Sequence, residues 1–356
     1  MKVAVETNWL YIMRRGCARY VRGLLLGLEE LKAPDLEYFH LAWPVENYSH
    51  GQPLRAIKTA YRELVWAHWH APRILREQKA DLVHLTGHIL AYLRSPKRIY
   101  TLYDLDIIHH PKRFRPWSRH RLQRHLPTIA RADAIICISR FTADEAVRLL
   151  GVPASKLHVI YPSCHFTLES ALREEEPPPQ PLPPAFFLFV GALEPGKNLA
   201  LLRRAYEQAA SHGVNLPTLV IVGGREPGLA DEGKPPPNWL YLGHISDQQL
   251  YYLYRRALAL VFPSRYEGFG LPLVEAMTLG CPVLCSPVAS LPEVGGDAAL
   301  FVEQTEEAYL DAMRRLASDE GLRRELSERG YRQANQFSWL RCATETVAVY
   351  RKTLHS

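Results

Sequence analysis

Short runs of Val, Ile, Leu, Phe and Tyr, each about the length of one strand, alternate with longer amphipathic stretches along almost the whole chain. Continuous apolar runs suit parallel strands buried on both faces, and the stretches between them suit helices laid over those faces. Strands are predicted near 3–5, 38–42, 82–85, 99–102, 134–138 and 158–161, and again near 186–190, 218–222, 240–242, 258–262, 282–285 and 299–302. Between the two sets lies 174–184, where Pro177, Pro178, Pro179, Pro181, Pro183 and Pro184 forbid a helix and no apolar face forms. A chain of 356 residues also exceeds the size at which one core stops growing. The expectation is an α/β protein of two Rossmann-like doubly wound domains facing a central cleft. They are placed at 1–165 and 185–335, with a linker at 166–184 and a helix at 336–356 returning to the first. Capping boxes are read at Thr142–Glu145, opening a helix that ends at Gly151, and at Ser246–Gln249.

Composition narrows the class of function. At 47% hydrophobic and 22% charged residues the chain is neither fibrous nor disordered. A net charge of +6 is modest for this length, so binding to nucleic acid is not expected. The charge gathers at 109–125, from His109 and His110 through Arg119 and Arg124 to His125. A solvated helix face is the plain reading of that stretch, and a peripheral contact with anionic lipid or a phosphorylated acceptor the functional one. Six scattered cysteines lack the pairing of a zinc or disulfide framework, and Cys281 and Cys285 flank an expected strand. No signal-like start is read, and no apolar run reaches the ~20 residues of a membrane helix. The expected location is cytoplasmic, with any membrane association peripheral at the inner face.

The chemistry concentrates at 258–277, where an apolar strand runs into a glycine loop and then a helix. Gly268 and Gly270 allow close backbone approach to a ligand, and Pro272 suits the first helical position. A helix start of this kind attracts an anion, and a pyrophosphate fits it. Glu267 on the loop and Glu275 about one turn into the helix can face one pocket and bind different hydroxyls. Against this stands the reading of Glu275 as a helix stabiliser and Glu267 as a surface residue.

The segment 267–277 resembles the E-x7-E signature of retaining glycosyltransferases of the GT-B fold, family 4, with mannosyltransferase-like members. Segment 290–299 is similar to the same family, and the resemblance covers nearly the whole chain. It implies that Glu267 contacts the donor sugar and Glu275 the ribose, with Gly268, Phe269, Gly270 and Leu271 around the diphosphate. Segment 191–198 nearly spells a P-loop but ends in Asn198 and carries Pro195, which excludes an NTPase. It resembles instead a family run in which Lys197 is the cation on the diphosphate. Gly191, Asn198, Gly224, His244 and Ile245 join the implied donor-binding positions. The arginine usual near the lysine is missing, with Gly196 and Ala192 at its common positions, and Arg225 or Arg265 are the replacements in view.

In the first half, Gly16 lies in a segment similar to the family's glycine loop. Tyr103 stands where the family has a histidine close to the transferred sugar, and a phenol there can hydrogen-bond but not carry positive charge. Asp104, His109 and His110 are the implied acceptor-side residues, with His84 and His88 nearby. Tyr61, Trp66 and Trp69, within a stretch expected to be variable loop, are expected to pack as core. The resemblance implies transfer of a hexose from a nucleoside diphosphate sugar to a glycan or glycolipid hydroxyl with retention. GDP-mannose is favoured over a UDP-sugar, and no cofactor or metal is required. Asp104 and Asp106 are not read as a metal pair. The alternative is a catalytically weak sugar-nucleotide-binding scaffold. A dinucleotide oxidoreductase lacks its third glycine after Gly270.

Overall fold

A computed structural model describes the chain apart from residues 13–15, 47–53, 91–92, 94–95, 112–115 and 225–235, and apart from the side chains of 116–118, 121 and 122. The chain divides into two units, Met1–His165 with Ser338–Ser356, and Phe166–Phe337. Each is built on one six-stranded parallel sheet.

In the first unit the strands are β1 (Lys2–Glu6), β2 (Glu37–Leu41), β3 (Leu82–Leu85), β4 (Lys97–Leu102), β5 (Ala134–Cys137) and β6 (Leu157–Val159). Their spatial order is β2-β1-β3-β4-β5-β6, so the winding reverses between β1 and β3. The helices here are α1 (Trp9–Ile12), α2 (Cys17–Leu31), α3 (Arg55–Ala60), α4 (Ala71–Glu77), α5 (Asp106–His109), α6 (Pro116–Ala130) and α7 (Arg140–Leu150). Ala4, Val83, Leu102 and Ile135 of the strands pack with Trp66, Leu75 and Ala146 in its core.

The second unit opens with α8 (Leu168–Glu174). It continues through β7 (Phe186–Val190), α9 (Leu199–Ser211), β8 (Thr218–Val222), β9 (Trp239–Gly243), α10 (Asp247–Arg256) and β10 (Ala259–Phe262). Then come α11 (Leu271–Thr278), β11 (Val283–Cys285), α12 (Leu291–Gly295), β12 (Ala299–Phe301), α13 (Glu306–Ser318) and α14 (Glu320–Ala334). The order β12-β11-β10-β7-β8-β9 places the reversal between β7 and β10. Phe187, Phe189 and Val261 of the sheet pack against Leu202, Tyr206 and Met313 of α9 and α13.

The twelve expected strands are all present. Several boundaries differ. The helix expected to open at Thr142 begins at Arg140, because Ser139 is its cap and accepts from the Thr142 amide; Gly151 ends it, at φ 64°. The box at Ser246–Gln249 forms as read. The segment 166–184 is not bare chain: Thr167 and Ser170 cap α8 reciprocally, and Glu175 pairs with Arg255 and Arg256 on α10. The supposed loop before β3 is helical from Arg55 to Glu77, with π-helical turns over Tyr61–His70 joining α3 to α4. Within it Trp66 is core, whereas Trp69 is 74% and Tyr61 37% exposed, which corrects the expectation for both of these residues.

The chain finishes in α15 (Trp339–His355), which packs along α2 in the first unit. Gly23 and Gly27 of α2 make the approach close, since a Cβ on either would meet Trp339 at 2.0 and 2.2 Å. The Trp339 indole donates to Cys164 O at 2.8 Å. Beneath it His84 is buried between the Tyr350 hydroxyl and Thr101 Oγ1, each at 2.7 Å.

Candidate active site

Ligands of doubly wound sheets bind beyond the carboxyl ends of the strands at the point where the order reverses. In the second unit that point lies where β7 runs into Gly191 and β10 into Pro263. The two loops leaving it carry Lys197 and Glu267, and their side chains meet, Lys197 Nζ to Glu267 Oε1 at 2.5 Å. Both are largely covered, at 19% and 12% side-chain exposure, so the pair is only weakly screened by solvent. Lys197 Nζ also lies 5.3 Å from the Phe262 ring centre.

The loops are fixed by their main chains. The Arg265 amide donates to Gly196 O at 2.9 Å, joining the lysine loop to the glutamate loop. Ser290 Oγ donates to Glu267 O at 2.9 Å, and Gln304 Nε2 donates to Ser264 O at 2.7 Å. Gly223 sits at φ 139°, where a Cβ would lie 1.8 Å from Gly191 O, so only glycine lets the two chain segments touch. Next to it a Cβ on Gly224 would lie 2.2 Å from His244 Nε2, which puts Gly191, Gly224 and His244 in one neighbourhood.

Gly270 caps α11 at φ 93°, with Leu271 first and Pro272 second in the helix, one place later than read from sequence. In the first turn Pro272 has no N–H and the Leu273 amide donates to Gly270 O at 2.9 Å, so the Leu271 amide is the first-turn donor that faces outward, and the dipole adds positive potential there. Glu275 is 1% exposed and its Oε2 accepts from the Tyr254 hydroxyl at 3.0 Å. The Phe269 side chain is buried against Phe337, with ring centres 5.6 Å apart. What Phe269 offers a ligand is therefore its main chain.

Two polar groups here are buried with no partner among the described residues, Asn198 Oδ1 and Ser264 Oγ. Asn198 is left-handed at φ 55° and makes no side-chain cap bond to α9, which leaves its Oδ1 without an internal partner among the described residues. Arg265 is exposed, and Arg225 lies outside the described residues. Ser264, Tyr254 and Ser290 escaped the sequence reading. Ser290 alone had a signal there, since it opens the family-like segment 290–299.

The remaining expected positions belong to the first unit. Gly16 is exposed at the cap of α2, and residues 14 and 15 before it lie outside the described set. The Tyr103 hydroxyl is sealed from solvent without a described partner, its ring 5.3 Å edge-on to Tyr20, and burial holds the phenol far above its usual pKa. It can donate a hydrogen bond but not take up acid-base work near neutrality. Asp104 Oδ1 accepts from the Asp106 amide, His109 contacts the buried Glu145, and His110 Nδ1 lies 2.6 Å from Asp106 Oδ1. His84 is spent on structure, and burial lowers its pKa to about 3. Where this sheet reverses, Glu6 is fully buried, accepting from Asn8 Nδ2 and the Gly87 amide, each at 3.1 Å; burial raises its pKa to about 7. The basic stretch 109–125 falls partly outside the described residues. Among the described residues no cluster of three or more His, Cys, Asp or Glu has metal-binding geometry, and no helix is long and apolar enough to cross a membrane.

Comparison with known proteins agrees with this anatomy. The family described as Glycosyl transferases group 1 matches residues 172–333, and that described as Glycosyltransferase Family 4 matches 15–165. The chain is 30% identical to O-antigen chain mannosyltransferase B of Escherichia coli, across 99% of this chain and 100% of that protein. Among solved structures, sucrose-phosphate synthase from Thermosynechococcus elongatus superposes with a TM-score of 0.74 at 20% identity, over 99% of this chain and 98% of that one. The Anabaena HepE protein in complex with UDP-glucose gives 0.69 at 16% identity, over 99% of this chain and 100% of that one. Likeness at such identities carries the fold.

Proposed function

Because this chain belongs to the group 1, family 4 glycosyltransferases and has their GT-B fold, we propose that it moves mannose from GDP-mannose to a hydroxyl of a growing glycan or glycolipid. Retention of configuration is part of the proposal, following the E-x7-E pattern at Glu267 and Glu275. The mannosyl preference follows the Escherichia coli relative, and a UDP-sugar is the competing donor, as in the HepE complex.

The observation that carries the reading is the Lys197–Glu267 pair where the second sheet reverses, beside the start of α11. A donor diphosphate offers Lys197 two negative charges in place of one carboxylate, and the helix start adds to the attraction. Lys197 then stabilises the leaving diphosphate without a metal, while Glu267, released, accepts from a sugar hydroxyl. Asn198 Oδ1 and Ser264 Oγ are further partners for the bound donor, and Glu275 is the ribose contact. In the first unit Tyr103, Asp104, His109 and His110 stand on the acceptor side, and the basic stretch 109–125 supplies a peripheral contact.

A transfer assay with labelled GDP-mannose and a panel of UDP-sugars tests this, scored on an acceptor glycan. Glu267→Ala is expected to cut the rate about 100-fold or more, in line with loss of one preorganised electrostatic partner. Transfer by that variant at near the parent rate would overturn the assignment. The scaffold reading rests on Tyr103 and Gly196, where family-typical cations are missing, and it expects donor binding with no turnover by the unaltered protein.

A further inference from the structure

The helical segment from Arg55 to Glu77 buries Trp66, Ala67, Ala71 and Leu75 on its inner face and is apolar on its outer face as well. Its inner face buries Arg62, whose Nη2 donates to Val45 O at 2.5 Å and whose guanidinium lies 5.1 Å from the Trp43 ring. Its outer face, with Leu54 just before it, presents Leu54, Ile57, Tyr61, Leu64, Val65 and Trp69, of which Leu64 is 67% and Trp69 74% exposed. Single exposed apolar residues need no explanation, but a continuous stripe over four helical turns does. A helix whose inner face already fills the core, and whose outer face still shows leucine, isoleucine and tryptophan, has that second apolar face committed to something outside the fold.

The charge around the stripe says what covers it. Between positions 54 and 79 six lysines and arginines stand against two glutamates. Arg55 and Lys58 lie on the stripe's own helix, and the exposed Arg73 and Arg76 follow it. A second copy meeting this face by two-fold symmetry would bring basic border against basic border. An anionic bilayer surface satisfies both halves, since acyl chains take the apolar stripe, headgroups take the cations, and Trp69 and Tyr61 suit the boundary. We propose that the helical segment 54–77 lies in the interface of an anionic membrane and holds the first unit there, whichever glycan hydroxyl the protein uses.

The test is co-sedimentation of the full chain with vesicles of phosphatidylcholine alone and with about a third phosphatidylglycerol. The protein is expected to bind the anionic vesicles, less so as salt is raised. The exposed double variant Leu64→Gln/Trp69→Ser is expected to bind at least tenfold more weakly with an unchanged melting temperature. Brominated acyl chains should quench tryptophan emission in the parent and much less in the variant. Parent-like binding by the variant, or no binding by the parent, overturns the proposal. So does a parent dimer in light scattering that the double variant dissolves, which would make the occupant a second copy. Loss of binding only in Arg119→Glu/Arg124→Glu would move the contact to the 109–125 stretch, again against it. No sugar enters these measurements, so their failure leaves the transfer reading untouched.

Discussion

Lys197 and Glu267 are seventy positions apart in sequence and 2.5 Å apart in space, so each sets the conformation of the other until a stronger partner arrives. Two groups that act on one ligand from one pair should not behave additively. Lys197→Ala and Glu267→Ala are each expected to lower initial rates by about 100-fold or more, and the double variant by far less than their product. A fully multiplicative double variant would show that the two act independently. Buried titratable groups of the first unit make a second claim at this scale. Glu6 has its folded pKa raised to about 7 from 4.5, so the native state holds its proton more tightly. Its contribution is complete below about pH 4.5 and is lost as pH rises through 7. His84 runs the other way. With its pKa lowered to about 3 from 6.5, it costs stability as pH falls from 6.5 toward 3, because only the unfolded chain takes the proton. Chemical denaturation across pH 5 to 8 should show Glu6→Gln gaining on the parent as pH rises, by up to a few kcal/mol. A constant difference would mean Glu6 does not titrate there. Glu267 was legible from its loop and its spacing to Glu275, and Lys197 from the resemblance of 191–198 to a family run. Asn198 was marked too, but nothing in a sequence says that its oxygen would be left without a partner.

At the scale of elements, the strands were the readable part, since an apolar run buried on both faces has one interpretation in an alternating chain. The segment 55–77 was not. It exposes what pattern reasoning expects to be inside, and its apolar residues sit among Arg, His and Glu without the period of a core-facing helix. The start of α7 was misplaced by local chemistry. Thr142 looked like a cap, but Ser139 takes the capping role and Thr142 Oγ1 donates to Tyr103 O. The contact of α2 with α15 was equally hidden, because nothing near Gly23 says that Trp339 will lie over it. Gly23→Ala puts a methyl where the indole sits, with ring atoms 2.0 to 2.4 Å away. We expect that substitution to destabilise the first unit by about 1–3 kcal/mol, seen as a lower melting temperature. An unchanged melting curve would mean the indole has room to retreat.

At the scale of the molecule, the second unit is an insertion in the first: all but the last 19 residues precede Ser338–Ser356, which returns to the unit the chain began. The second unit has a core of its own, and the first completes its core only with α15. Removing residues 338–356 should leave the second unit's thermal transition in place and lower or abolish that of the first. Amides of β3 and β4 should then exchange faster, because His84 loses the Tyr350 hydroxyl and the face of α2 is uncovered. Loss of both transitions together would show the units to be one cooperative body. The same closure has a meaning during synthesis. A polypeptide still attached to the ribosome can finish its middle while its beginning stays unsealed, with Gly23 and Gly27 of α2 uncovered until Trp339 has been made. The first unit is thus the last to close, although it is the first to be made.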